Sequence, residues 1–255
     1  MVHDHGRTRM LIAVEGIDGS GKTTIATQLI QDLKKLYSNI EIVRDGGYIT
    51  TLREGPKRYD RHAKKLAKEL LGSTEYYTDM QVGFLNMADF EHTKGFLEDD
   101  NNPSCIVVND RHLWSTLAYG FIHCKDDKAC TLAAKEALRE YMFNRPNIVP
   151  DLTIYVDATL DLCMQHLTSR GESLDIIYER RELQKMIQSN YEDELANYAK
   201  LKLTYEHVTE DEWLHKIYIS NDDDYAREYK SMLDWVKSRI KTMFKQQNEE
   251  RQNHE

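Results

Sequence analysis

Gly16-Ile-Asp-Gly-Ser-Gly-Lys-Thr23 is the segment that decides the fold, because it is a complete G-x-x-x-x-G-K-[ST] phosphate loop. Its glycines allow successive backbone N–H groups to point at phosphate oxygens. Lys22 can reach the outer phosphates of a nucleotide, and the Thr23 hydroxyl can ligate Mg²⁺. We therefore predict that the chain binds a nucleotide with Mg²⁺, while the loop alone does not distinguish motors, GTPases, ATPases and kinases. The residues expected to contact the nucleotide, ATP in the interpretation adopted below, are Gly16, Gly19, Ser20, Gly21, Lys22, Thr23 and Thr24.

The pattern on both sides of this loop predicts an α/β fold. Apolar runs alternate with amphipathic stretches, which is typical of a parallel sheet covered by helices. Strands are predicted at 10–14, 40–43, 106–108, 152–156 and 216–219. The helix after the loop should bury one face, made of Ile25, Ala26, Leu29, Ile30, Leu33 and Leu36. We expect a P-loop α/β fold with a five-stranded parallel sheet, helices on both faces, and ligands at the carboxyl ends of the strands.

Composition limits the organisation of the chain and its partners. The 255 residues are 40% hydrophobic and 30% charged, which suits one domain at 10–245 between a flexible leader, 1–9, and a frayed polar tail, 246–255. The formal charge of −9 argues against a nucleic-acid-binding face. No apolar run is long enough to span a membrane, and four cysteines without a CxxC pair suit reduced thiols. We expect a cytoplasmic protein.

The third predicted strand ends in Asp110-Arg111, a pair that bears on the reaction. The Asp110 carboxylate can touch the shell of Mg²⁺, and the Arg111 guanidinium can bridge two phosphate groups. This arrangement favours transfer between two nucleotides over hydrolysis, and no NKxD-type motif for guanine is present. The alternative is that Arg111 forms a surface ion pair.

Five segments of the chain together resemble the thymidylate kinase family. They are the phosphate loop, a D-R-x-x-x-S-x-x-A-Y segment, a P-D-L strand, an R-G-E lid with one inserted residue, and an A-D-x-x-H helix. In this sequence they lie at 14–24, 110–119, 150–157, 169–179 and 87–92. Their order and spacing agree with the family from about residue 10 to residue 205.

The resemblance implies a reaction and roles for individual residues. ATP would phosphorylate a deoxynucleoside monophosphate, with dTMP the first candidate, to the diphosphate. Arg111 would hold the acceptor phosphate, Asp18 would orient groups around the acceptor, and Tyr119 would lie under the sugar. Ser115 and Thr116 fall in the same acceptor segment. A lid at about 169–178 and a homodimer are also implied.

The chain departs from the family pattern in the phosphate loop. Some members carry a catalytic arginine there, but this chain has Asp18-Gly-Ser20. The lid would supply the charge instead, with Arg170 the first choice over Arg180 and Arg181, which could equally be solvated helix residues. A catalytic set of Lys22, Asp18, Arg111 and Arg170 follows.

Other departures fall on recognition of the base. Asn86 stands where the family has a phenylalanine that stacks on thymine, and Phe90 where it has an arginine. Phe84 could stack if the register shifts. The basic segment at 51–70 is either a solvated helix face or an altered substrate arm.

Two other functions remain open from the sequence. A deoxynucleoside kinase shares this architecture but must activate a neutral hydroxyl, and Asp45 stands where its carboxylate base would lie. A non-catalytic nucleotide-binding protein is the alternative from another class.

Overall fold

The computed structural model describes residues 9–45, 97, 104–120, 135–136, 139–140, 149–170 and 181–252. Five strands form one parallel sheet in the order β2-β3-β1-β4-β5. They are β1 Arg9–Glu15, β2 Glu41–Asp45, β3 Cys105–Asp110, β4 Leu152–Ala158 and β5 Leu214–Ile219. The predicted five-stranded sheet is therefore confirmed.

β1 is the central strand, and its register brings the carboxyl ends of its neighbours to the phosphate loop. Val14 is paired with Asp110 of β3, and Glu15 with Tyr155 of β4. β1 is buried from Met10 to Glu15, because helices cover both faces of a parallel sheet of this kind. Polar residues at the end of β3 therefore lie beside the loop that follows β1.

Six helices and one π-helical turn accompany the sheet in the described part of the chain. They are α1 Lys22–Leu36, α2 Leu113–Tyr119, α3 Leu160–Ser169, α4 Arg181–Leu201, α5 Glu210–Trp213 and α6 Asp224–Gln252, with the π-helical turn at Lys202–Glu206. None of the helices in these ranges is long and apolar enough to cross a membrane.

An aromatic cluster holds α2 in place behind the site. The ring of Trp114 on α2 lies 5.0 Å from Tyr198 on α4 and 5.9 Å from Trp213 on α5. The indole Nε1 of Trp114 also donates a hydrogen bond to Thr153 Oγ1 on β4, at 3.0 Å. Buried aromatic side chains of this kind contribute strongly to packing. The helix that follows Arg111 is thus anchored to the sheet and to α4.

Two sequence expectations need correction. Leu36 was placed on the buried face of α1, but it is 51% exposed, because α1 ends there and the chain turns away. The polar tail was expected to be frayed from residue 246, yet α6 continues to Gln252. The other five residues of the α1 face are buried as predicted.

Candidate active site

The phosphate loop uses glycine where a side chain would collide with neighbouring elements. Gly19 has φ +80°, and a Cβ there would lie 2.3 Å from the Cys163 carbonyl oxygen on α3. Gly21 has φ +88°, and a Cβ there would lie 1.7 Å from the Tyr225 hydroxyl. Left-handed backbone costs glycine little, whereas other residues adopt it under strain. The loop is thus packed against α3 and α6.

Two side chains from distant elements fasten the outer surface of this loop. The Tyr225 hydroxyl donates a hydrogen bond to the Ser20 carbonyl oxygen at 2.6 Å. His166 Nδ1 donates to the Gly19 carbonyl oxygen at 2.8 Å, and its Nε2 lies 3.0 Å from Asp222 Oδ1. With both carbonyl oxygens engaged outside, the loop keeps the curved shape that a phosphate group requires.

Lys22 lies under the loop and is nearly buried. Its Nζ donates to the Ile17 carbonyl oxygen at 3.1 Å and lies 3.3 Å from Asp18 Oδ1. Burial and the nearby charge of Arg111 lower the pKa of Lys22 to about 8. An ammonium group held in this way can interact with phosphate oxygens as a preorganised cation.

Asp18 connects the phosphate loop to the end of β3. Its carboxylate is ion-paired with the guanidinium of Arg111 and with Lys22. Burial alone would raise the pKa of Asp18, but these two cations outweigh it and lower the pKa below its ordinary value. The backbone N–H of Asp18 donates to Gln184 Oε1 on α4, at 3.1 Å. Asp18 is therefore an ionised group at the centre of the site.

Arg111 has an unusual backbone and a well-packed side chain. Its φ is +76°, a left-handed conformation that is costly for a residue with a Cβ and is concentrated at functional sites. Its amide donates to the Val14 carbonyl oxygen at 3.0 Å. The guanidinium carbon lies 4.6 Å from the centre of the Tyr119 ring. The ion pair that Arg111 forms is therefore a partly buried one with Asp18, and not the surface ion pair that the sequence left open as an alternative.

The other acceptor residues on α2 point into the protein. Ser115 and Thr116 are both buried. Ser115 Oγ donates to the Glu15 carboxylate and lies 2.6 Å from the Tyr191 hydroxyl. Arg111 Nη1 lies 3.5 Å from the same Ser115 oxygen. Ser115 therefore sits directly behind the guanidinium of Arg111.

The oxygen groups expected to hold magnesium lie close to the phosphate loop. Thr23 is exposed in the first turn of α1, and Asp110 is partly buried at the end of β3. Asp110 is paired with Val14 of β1, two residues before Gly16, so it lies beside the start of the phosphate loop. Hydroxyl and carboxylate oxygens suit Mg²⁺, a hard cation that also takes phosphate oxygens as ligands. The donor set therefore fits the ion.

A cavity of about 260 Å³ opens beside the phosphate loop. Its walls come from the loop, α1, α3 and the start of α6, and are formed by Gly21, Thr24, His166, Ser169, Arg170, Asp222 and Tyr225. Arg170 is the C-terminal cap residue of α3. The structure therefore places Arg170 in the wall of the same cavity as Gly21 and Thr24. Arg181 instead forms an exposed ion pair with Asp161, at 2.6 Å.

Several predicted residues lie outside the described part of the chain. They are Phe84, Asn86, Phe90 and Arg180. Asp45 closes β2, and its Cα is paired with that of Asn109 in β3. Other residues were not predicted from the sequence, namely Glu15, His166, Gln184, Tyr191 and Tyr225. The one signal available in the sequence was that Glu15 is a charged residue directly after the apolar run at 10–14.

Comparison with known proteins agrees with this geometry. The thymidylate kinase family model matches residues 14–213. A thymidylate kinase from Leptospira interrogans is 28% identical over 184 residues, covering 72% of this chain and 80% of the relative. Among solved structures, a deoxyadenosine kinase from M. mycoides superposes with a TM-score of 0.52 at 13% identity, covering 90% of this chain and all of that one.

A solved thymidylate kinase from Ehrlichia chaffeensis superposes with a TM-score of 0.50 at 20% identity, covering 90% of this chain and 99% of that one. At these identities the solved structures support the fold alone. The family model spans most of the sequence and includes both the phosphate loop and Arg111. This chain belongs to the thymidylate kinase family, whose members are nucleoside monophosphate kinases.

Proposed function

We propose that this protein transfers the γ-phosphoryl group of ATP to a deoxynucleoside monophosphate, with dTMP the first candidate. One observation carries the proposal. Lys22 of the phosphate loop and Arg111 of the β3 end converge on the same carboxylate, Asp18. A cation suited to the donor phosphates therefore lies beside a second cation suited to an acceptor phosphate.

The acceptor explains why no strong base is needed. A monophosphate is already an anionic nucleophile, so catalysis depends on positioning and on neutralising negative charge. Arg111 would hold the acceptor phosphate, while Lys22 and the loop amides would hold the donor. Thr23 and Asp110 would hold Mg²⁺, which neutralises charge on the transferring group when bound.

Arg170 is the proposed source of further positive charge. It lines the cavity beside the phosphate loop, and the residues that follow it belong to the predicted lid at 169–178. Since the loop itself has no arginine, a cation reaching in from α3 would stabilise the transferring phosphoryl group. We place this lid within a single domain at 10–245.

Tyr119 and the base-contacting positions bear on the substrate. Tyr119 packs against Arg111, and this contact supports a role for its ring under a sugar bound next to that guanidinium. The residues at 86 and 90 differ from the family pattern. A lost charged hydrogen bond is worth ~1.5–3 kcal/mol, or roughly ten- to a hundredfold in affinity. We therefore propose a weakened preference for dTMP, or a different or modified base.

An acceptor panel tests the proposal. With ATP as donor, kcat/KM is measured for dTMP, dUMP, dCMP, dGMP, dAMP and thymidine. The proposal predicts that at least one pyrimidine monophosphate exceeds thymidine. Greater activity on thymidine than on every monophosphate would overturn it and indicate a deoxynucleoside kinase, with Asp45 as the base to substitute next. No turnover with any acceptor would indicate a nucleotide-binding protein.

A further inference from the structure

Glu15 is a buried carboxylate that the proposed chemistry does not use. It is the last residue of β1, immediately before the phosphate loop, and it is 0% exposed. Burial raises its pKa, although several hydrogen bonds and Arg111 oppose that rise. Burying a carboxylate away from water costs free energy unless hydrogen bonds compensate for the lost hydration. Its partners therefore indicate what it does.

Both oxygens of Glu15 accept hydrogen bonds from α2 and the residue before it. Oε1 accepts from the amides of His112, at 2.8 Å, and Ser115, at 3.3 Å. Oε2 accepts from the Ser115 hydroxyl. The first amides of a helix lack partners within the helix, and His112 provides no side-chain cap for α2. The carboxylate of Glu15, on β1, therefore accepts the hydrogen bonds that a side-chain cap would otherwise accept.

These bonds hold Arg111 from both sides. The amide of Arg111 itself donates to Val14, and the amide of the next residue donates to Glu15. Two consecutive residues of β1 thus bind two consecutive amides around the left-handed Arg111. A backbone in this conformation persists only where its surroundings hold it there. The direction of the guanidinium towards Asp18 depends on that backbone.

Glu15 is also linked to α4 and to the phosphate loop. The Tyr191 hydroxyl donates to Glu15 Oε2, at 3.1 Å, and lies 3.4 Å from the Gly16 carbonyl oxygen. The same carboxylate therefore joins the loop, α2 and the helix that follows the predicted lid.

We infer that Glu15 is a positioning residue for phosphoryl transfer, because its carboxylate holds the left-handed Arg111 at the place where an acceptor phosphate binds. Glu15 does not touch substrate and acts through Arg111. The inference rests on the proposed function, since it assigns the acceptor phosphate to Arg111.

The test combines substitutions at Glu15 with one at Arg111. Glu15→Ala should lower kcat/KM for the acceptor by about 10–100-fold, as expected for loss of charged hydrogen bonds, with the KM for ATP within about twofold. In an Arg111→Ala background the same change should have an effect below about twofold, because the two residues act as one unit. A crystal structure of the Glu15 variant should show Arg111 outside the left-handed region.

Glu194→Gln is the matched control. Glu194 is another buried carboxylate, and it is paired with Arg139, at 2.9 Å, and with Lys135, at 3.6 Å, which lie outside the phosphate loop and α2. The Glu194→Gln variant should lose stability without a change in kcat/KM.

If Glu15→Ala does not fold, Glu15→Gln replaces it, because glutamine keeps the shape of the side chain. We expect kcat/KM for the acceptor to fall by about fivefold in this variant, with the KM for ATP unchanged, because neutral hydrogen bonds are weaker.

Three results would overturn the inference. They are unchanged acceptor kinetics in a folded Glu15 variant, a rise in the KM for ATP as large as the acceptor effect, and an undiminished effect in the Arg111→Ala background. All measurements use the acceptor that the wild-type protein phosphorylates. Absence of transfer to any monophosphate in the acceptor panel would therefore refute the proposed function. Unchanged kinetics in the Glu15 variants would refute only the role of Glu15, because the wild-type protein would still transfer phosphate.

Discussion

The guanidinium of Arg111 is ion-paired with the carboxylate of Asp18, which joins the end of β3 to the phosphate loop. Since the backbone of Arg111 is itself bound to β1, the pair has little freedom to rearrange. The ionised Asp18 is also ion-paired with Lys22, so the cations of Lys22 and Arg111 contact the same carboxylate. This arrangement leads to the predictions that follow.

Removal of the loop lysine should abolish transfer. Lys22→Ala should reduce kcat by ~10²-fold or more, because the preorganised ammonium group is lost from the donor phosphates. Lys35→Ala is the control on the same helix, because Lys35 is exposed and pairs with Asp32 at 3.0 Å. A coupled ADP assay checks both. A folded Lys22 variant with near-wild-type turnover would contradict the phosphate-loop assignment.

The two described lid-region arginines should behave differently. Arg170→Ala should lower kcat by roughly two orders of magnitude, since Arg170 lines the cavity beside the loop. Arg181→Ala should change kcat less than about twofold, because an exposed ion pair contributes only ~0.2–1 kcal/mol. Single-turnover kinetics with saturating ATP distinguish the two. Equal and small effects would show that the charge comes from elsewhere.

A methyl group on Gly21 should damage donor binding. Gly21→Ala would force a Cβ into the Tyr225 ring and into a strained φ. Backbone strain of ~1–3 kcal/mol corresponds to roughly a five- to hundredfold weaker affinity for ATP. Calorimetry with a non-hydrolysable ATP analogue measures this. An affinity within twofold of wild type would mean that the loop and Tyr225 separate easily.

His112 should make the folded protein sensitive to acid. Burial lowers its pKa to about 3, so the folded chain takes up no proton there between about pH 6.5 and 3, whereas the unfolded chain does. Its contribution to stability is therefore complete above about pH 6.5 and is lost as the pH falls towards 3. Relative to His112→Gln, wild type should lose up to ~1.4 kcal/mol per pH unit in this range.

Urea unfolding at a series of pH values measures that difference. At pH 7.5 the difference in stability between wild type and His112→Gln reports only the change in packing, because His112 is neutral there in both the folded and the unfolded chain. Parallel stability curves for the two proteins would contradict a neutral, buried His112.

Much of the fold and part of the site could be predicted from the sequence. Parallel strands end at one edge of a sheet, so the motif at Gly16 and the pair Asp110-Arg111 had to meet there. Their meeting through Asp18 follows from the register of Val14 with Asp110.

The contacts of Glu15, His166 and Tyr225 could not be predicted in the same way. Each joins elements distant in sequence, as with Tyr225 and Ser20, and such contacts leave no local periodicity. The exposure of Leu36 likewise depends on where α1 ends, and helix boundaries are difficult to predict from a pattern alone.

The most direct measurement compares a charged with a neutral acceptor in two proteins. The central claim is that Arg111 selects an acceptor that carries a phosphate. The ratio of kcat/KM for the best deoxynucleoside monophosphate of the acceptor panel to that for its nucleoside should be large in wild type. In Arg111→Ala it should fall by roughly 10²-fold or more, because the cation that favours the monophosphate is gone. A wild-type ratio below one, or a ratio unchanged by the substitution, would contradict the account.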